Sequence, residues 1–267
     1  MQNICGGEAS EVMKKVSIVD TVINRMASLR PMADIEKDFA ANPGKPVCVV
    51  QAEQDMPLYA QSGDPIIDSL RQIKSADDMS VIQVLKNKLS NGPHAIGAWY
   101  GMLFGHQTIS NAFNDIRVIN LVQSIMENEV KPALMAEFPS LDEEHYDTFI
   151  TTFMQRCKEA TTDPCKRVGR NVKLKLGPDE RVMGTIKVAK KHGISCEGLE
   201  FGAACAITYA ILLQPDDPND PEIKESLLIQ KVFNKAGLAS VMNLLKIQNQ
   251  KNIAEKVTKL LDIFGNP

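Results

Sequence analysis

Residues 86–109, KNKLSNGPHAIGAWYGMLFGHQTI, set an amine, an amide and an imidazole at fixed spacing: Lys86, Asn91 and His94. On a regular α-helix these lie at roughly 0°, 140° and 80° around the axis, on one face with His94 in the middle. The trio suits removing a proton from an alcohol. A desolvated lysine loses affinity for its proton and becomes a general base. An asparagine amide donates to a developing alkoxide, and a histidine holds the hydroxyl or the amine in place. The same residue types also serve as ordinary surface or capping groups, so spacing alone leaves both readings open.

A second cluster is cationic. Lys166, Arg167, Arg170, Lys173 and Lys175 crowd into ten residues with no acidic residue among them, and Arg181 follows. Such a run is either a solvated charged loop or a grip for an anion. Arginine binds phosphate in two-pronged fashion and lysine adds a mobile point charge, which makes a sugar or polyol phosphate the natural ligand.

The motif K-x4-N-x2-H followed by G-H-Q-T-I resembles the catalytic segment of the polyol-specific long-chain dehydrogenases, most nearly their mannitol-phosphate branch. A second block in the right order, D-x3-R-V-G-R-x4-K from Asp163 to Lys175 ahead of Asp179 and Arg181, is similar to the family's substrate-contacting run. The likeness is good over residues 80–225, faint over 12–80 and nearly absent in the tail. It implies Lys86 as general base, with Asn91 and His94 on the reacting oxygen. Arg167, Arg170 and Lys175 would bind substrate, and His106 would organise local packing. The implied reaction is NAD-dependent interconversion of mannitol 1-phosphate and fructose 6-phosphate, with no metal. The chain carries no G-x-G-x-x-G and no opening βαβ unit, so the cofactor is expected on a nucleotide-binding domain or chain outside this sequence. The alternative is a non-enzymatic sugar-phosphate-binding or interaction module that has lost cofactor binding. Asn24 stands where the family has a carboxylate.

The fold expected to carry these groups is mainly α. A small α/β remnant of about two strands, residues 1–76, would extend a nucleotide-domain sheet. The all-helical C-terminal domain of a mannitol dehydrogenase-like enzyme would follow at 77–267. Strands are expected at 16–23 and 46–51, and a helical turn or two within 63–72. A helix from about 77 should stop at Gly92-Pro93, because proline lacks the donor and presses on the preceding turn. The small apolar run 95–104 suits a closely packed buried helix. One long helix is expected over 109–131, ended or kinked at Pro132. A capping box at 140–143 opens the next, and a further helix starts at 177–179 and ends at Gly193. The nearly all-apolar stretch 196–213 should be the central helix, with further helices from 220 to about 264.

Composition sets the outer limits. The chain has 267 residues, a net charge of −3, 44% hydrophobic and 24% charged residues. This is the balance of a globular protein, and the acidic sign disfavours nucleic acid, whose phosphates reward basic surfaces. The six cysteines form no C-x2-C pair or zinc spacing and read as reduced thiols, with Cys196 and Cys205 as small buried hydrophobes. No run of eighteen apolar residues is present, so a cytoplasmic protein without a membrane segment is expected.

Overall fold

A computed structural model describes residues 19–23, 27–52, 58–63, 65–71, 73–139, 142–160, 162–215, 217 and 219–265. The expected strand positions 16–18, Asn24 and Ser140 of the capping box lie outside these residues. Two compact units emerge, one from residues 1–26 with 52–83, the other from 27–51 with 84–267.

The smaller unit holds β1 (Thr21–Ile23), β4 (Leu58–Gln61), α2 (Pro65–Ser69) and β5 (Ile73–Ala76). Its sheet order is β1-β4-β5, with β1 antiparallel to β4 and β5 parallel to it. The larger unit begins with β2 (Ala27–Leu29), α1 (Met32–Ala41) and β3 (Val50–Ala52), where β2 pairs with β3. The sequence had suggested only two strands. The others are three or four residues long, too short to show alternation.

The helical part follows as α3 (Met79–Leu85), a π turn (Lys86–Asn91) and α4 (Gly92–Leu103). Next come α5 (Ile109–Phe113), α6 (Ile116–Ile125), a second π turn (Met126–Val130) and α7 (Lys131–Glu137). The remainder is α8 (Glu143–Glu159), α9 (Cys165–Gly169), α10 (Val172–Lys175), α11 (Met183–Lys191), α12 (Glu197–Leu212), α13 (Lys224–Leu244) and α14 (Lys251–Phe264). Gly237, at φ 73°, divides α13 into two pieces.

The helix does not stop at Gly92-Pro93, which corrects the end expected there, and of the end or kink expected at Pro132 the end is ruled out. In both places the turn before the proline widens, and the residue preceding it bonds five residues back, Gly92 to the Asn87 carbonyl and Lys131 to the Met126 carbonyl. The wider turn moves the carbonyl that the proline ring would strike, so the helix passes through. The expected long helix over 109–131 is also divided. Asn114 ends the first piece, and Asp115 caps the second by accepting from the Arg117 backbone N–H. The helix expected from 177 begins at Met183, after a series of turns. Asp142 caps α8 by accepting from His145 N–H at 2.7 Å.

The core lies where α4 meets α12, α5 and α6. Trp99, Ile96, Phe113, Val122 and Ala203 are all fully buried. Glycines let the backbones approach: a Cβ at Gly97 would come within 2.5 Å of Phe113 Cζ, and one at Gly202 within 2.6 Å of Ile96. The central helix α12 is capped from the second π turn, where buried Glu129 accepts from the N–H groups of Gly198 (2.7 Å) and Leu199 (2.8 Å). One turn on, buried Glu200 meets Lys190 at 2.9 Å and Lys256 at 3.6 Å. Cys196 and Cys205 are buried as expected, and the described cysteines are free thiols. No described helix is long and apolar enough to cross a membrane.

Candidate active site

The π turn changes the geometry of the trio. An extra residue in a turn delays every later position by about 100°. His94 therefore falls nearly in line with Lys86, at about −20° rather than about 80°. The proline expected to end the helix instead follows directly on this widened turn.

Lys86 is half-buried, and its pKa is lowered, first by burial and then by the charge of Arg156. The neutral amine is thereby favoured. His94 is packed edge-on against Phe113 (centroids 6.3 Å apart) and Phe153 (6.0 Å). Its pKa is pushed down to about 3, chiefly by burial, then by Arg167, Lys175 and Arg156. The ring is neutral at any ordinary pH, and its Nε2 is buried with no partner. A buried polar atom left unbonded costs about 1–3 kcal/mol, so this nitrogen has an unmet demand for a donor or acceptor. The Asn91 amide is half-buried and has no hydrogen-bond partner among the described residues.

The basic loop is pinned to the same helix. Trp99 Nε1 donates to the Gly169 carbonyl at 2.8 Å, Ile109 N–H to the Asp163 carbonyl at 2.9 Å, and Cys165 N–H to the Gln107 carbonyl at 2.8 Å. Gly169 has no room for a side chain, since a Cβ there would meet Met102 at 2.5 Å. Arg167 is clamped by buried Asp163, with Nε at 2.7 Å and Nη2 at 2.6 Å from Oδ1. Asn171, in the left-handed region at φ 57°, turns the chain back.

The expected run of unneutralised cations holds in the chain but not in space. Arg170 pairs with Glu222 at 3.0 Å and Lys166 with Asp220 at 3.0 Å. Lys175 is buried and donates to the carbonyls of Val168 (2.6 Å) and Arg170. Burial and the neighbouring arginines bring its pKa to about 7, while the two acceptor carbonyls favour its charged form.

Two further groups escaped the sequence reading. Lys88, also on the π turn, is buried and lies 3.4 Å from the Asp179 carbonyl. Arg156, on α8, acts on both Lys86 and His94. Periodicity places it beside the buried stripe of α8, but nothing in the chain links that stripe to His94. His106 bonds Asp115 at 2.8 Å, in keeping with a local organising role. A cavity of about 550 Å³ opens at the other end of α4, lined by Met102, His106, Lys166, Tyr209, Ile223 and Phe264. None of Lys86, Asn91 and His94 lines it.

The fold defines a class: a helical domain whose core is α4 packed against α12, α5 and α6, with a cationic loop bonded to Trp99 of α4. The chain belongs to the mannitol dehydrogenase C-terminal domain family, whose model matches residues 64–264. Among curated relatives, it is 32% identical over 136 residues to a mannitol-1-phosphate 5-dehydrogenase of Exiguobacterium sibiricum, covering 51% of this chain and 34% of that protein. It is 27% identical over 175 residues to one of Buchnera aphidicola, covering 65% and 43%. The chain thus spans well under half the length of these relatives. Among solved structures, mannitol 2-dehydrogenase of Pseudomonas fluorescens, a ternary complex with NAD and D-mannitol, aligns with a TM-score of 0.62 at 18% identity over 98% of this chain and 57% of that one. A substrate-free D-sorbitol dehydrogenase aligns with a TM-score of 0.68 at 14% identity over 97% and 54%. At these identities the likeness establishes the fold.

Proposed function

We propose that this chain is the substrate-binding and proton-transferring part of an NAD-dependent polyol-phosphate dehydrogenase that interconverts mannitol 1-phosphate and fructose 6-phosphate. The observation that carries the reading is the half-buried Lys86 amine, its proton affinity lowered, followed on the same helical run by a neutral His94 whose Nε2 lacks a partner. Lys86 takes the hydroxyl proton of the polyol. His94 Nε2 and the Asn91 amide hold that oxygen as it becomes a carbonyl. A nicotinamide cofactor, held by a nucleotide-binding domain or chain, accepts the hydride from the same carbon.

The basic loop orients the substrate. Arg167, fixed by Asp163, presents its remaining N–H groups. The Lys175 ammonium commits two of its three donors to the loop carbonyls, and the third is assigned to a substrate oxygen. Arg170, paired with Glu222, sets the rim.

The test joins this chain with NADH, fructose 6-phosphate and a separately supplied nucleotide-binding domain of a mannitol-1-phosphate 5-dehydrogenase. Turnover is expected. Lys86→Ala should lower it by about a hundredfold or more, the range for a lost general acid–base group, with fructose 6-phosphate binding retained in calorimetry. Sugar-phosphate binding without turnover in any mixture would instead favour a binding module.

A further inference from the structure

We propose that Arg181 holds the phosphate end of the sugar phosphate, its guanidinium donating to the phosphate oxygens, and so selects a phosphorylated polyol over a free one. This rests on the functional reading above and adds a residue to Arg167, Arg170 and Lys175.

The first observation is an unmet donor. Arg181 Nε is buried and has no hydrogen-bond partner. Among the described residues the side chain makes one polar contact, a 3.4 Å approach of Nη2 to Oε2 of its own neighbour Glu180. That is longer than a well-formed hydrogen bond. Nearby cations are better matched: Arg167 by Asp163, Arg170 by Glu222, Lys187 by Asp179 at 2.8 Å, and Lys175 by two loop carbonyls. A guanidinium cannot shed its proton to escape burial, so its buried Nε–H calls for an acceptor. Its flat fork of donors fits phosphate oxygens.

The second observation is where the residue is held. The Arg181 backbone lies over Gly92, the residue after Asn91. A Cβ added to Gly92 would stand 2.9 Å from the Arg181 carbonyl and 3.7 Å from Arg181 Cβ. Thr185 Oγ1 donates to the same carbonyl at 2.7 Å. Two residues earlier, the Asp179 carbonyl accepts from the buried Lys88 amine at 3.4 Å. That amine fills the space beside Gly184, where a Cβ would meet it at 2.5 Å. In the other direction, tight turns join Arg181 to Lys175. Gly177 N–H donates to the Leu174 carbonyl at 3.0 Å, and Glu180 N–H to the Gly177 carbonyl at 3.1 Å. The Arg181 backbone is therefore fastened to the π turn and the head of α4 on one side, and to the cationic loop on the other.

The substrate has its two ends to match. Fructose 6-phosphate carries its carbonyl on C2 and its phosphate on C6, so the anion lies well away from the reacting carbon. Lys175 is near enough to act on His94, and Arg181 to act on Lys175. This order sets Lys175 on a sugar oxygen and Arg181 on the anion beyond it.

Calorimetry compares the wild-type chain with Arg181→Gln and Arg181→Lys, using fructose 6-phosphate and free fructose as ligands. Arg181→Gln should weaken fructose 6-phosphate binding by about tenfold to a hundredfold, the range for a lost charge-assisted hydrogen bond, and leave free fructose unchanged. Arg181→Lys, which keeps the charge without the fork, should fall between. Equal loss for both ligands, or no loss for either, overturns the assignment. A wild-type chain that binds neither ligand overturns the functional reading itself. A second measurement needs no folded Gln variant. The Arg181 Nε–H resonance of the wild-type chain, assigned by its absence in Arg181→Lys, should shift with fructose 6-phosphate and stay in place with fructose. A resonance that fails to move with the phosphorylated sugar means that Arg181 does not meet the anion, and the proposal fails.

Discussion

In the proposed reaction Lys86 is the base, and its proton affinity is lowered because water is partly excluded from its amine and a guanidinium charge opposes its protonation. The sign of the pH dependence follows. Polyol oxidation should fall as pH drops through the Lys86 titration, at a pH below the range of a free lysine, in a rate–pH profile of the reconstituted enzyme. His94, neutral throughout this range, adds no second limb there. Asp115 works the other way. Bonds from Arg117 and His106 hold its carboxyl well below the usual carboxylate range. A lowered folded-state pKa gives stability that is present above the unfolded carboxylate range and lost as pH falls through the folded value. Asp115→Asn keeps a capping side chain and removes the charge. It should cost about 1 kcal/mol at neutral pH, and denaturant unfolding should show the difference vanishing in strong acid.

Helices here are shaped by what they must pass. Each π turn lets a helix continue through a proline, and each carries a charged side chain partly or wholly shielded from water: Lys86 on the first, the α12 cap Glu129 on the second. Sequence periodicity finds helices that keep one angular step, which is why α12 and α14 were legible and the continuity across Pro93 and Pro132 was not. The short α5 and the break at Asp115 were missed for a related reason, since the apolar positions continue across the break. The small-residue run in α4 did announce close packing. Its depth suggests a test. Gly97→Ala puts a methyl within 2.5 Å of Phe113 Cζ in a closed core, and should destabilise by about 1–3 kcal/mol, the usual cost of overpacking, seen as a lower urea midpoint. A Phe113→Leu replacement in the same chain should recover part of the loss.

Across the whole domain, the cationic loop is moderated by acids from the segment that opens α13: Asp220, Glu222 and Glu225, the last accepting from Lys173 N–H at 3.2 Å. These exposed pairs contribute little to stability, but they tune the field that an anionic ligand meets. Glu222→Gln should tighten fructose 6-phosphate binding by about twofold to tenfold at low salt, with the gain fading at high ionic strength as screening shortens the reach of charge. The chain by itself determined its family, its helical character and its central helix, because these are written in local spacing and in apolar composition. Only the tertiary structure decided which cations of the loop meet acids, that Lys175 is buried, and that the helices run on through Pro93 and Pro132. Those outcomes depend on which distant segments exclude water from one another and which charges they bring close. Neither follows from order along the chain.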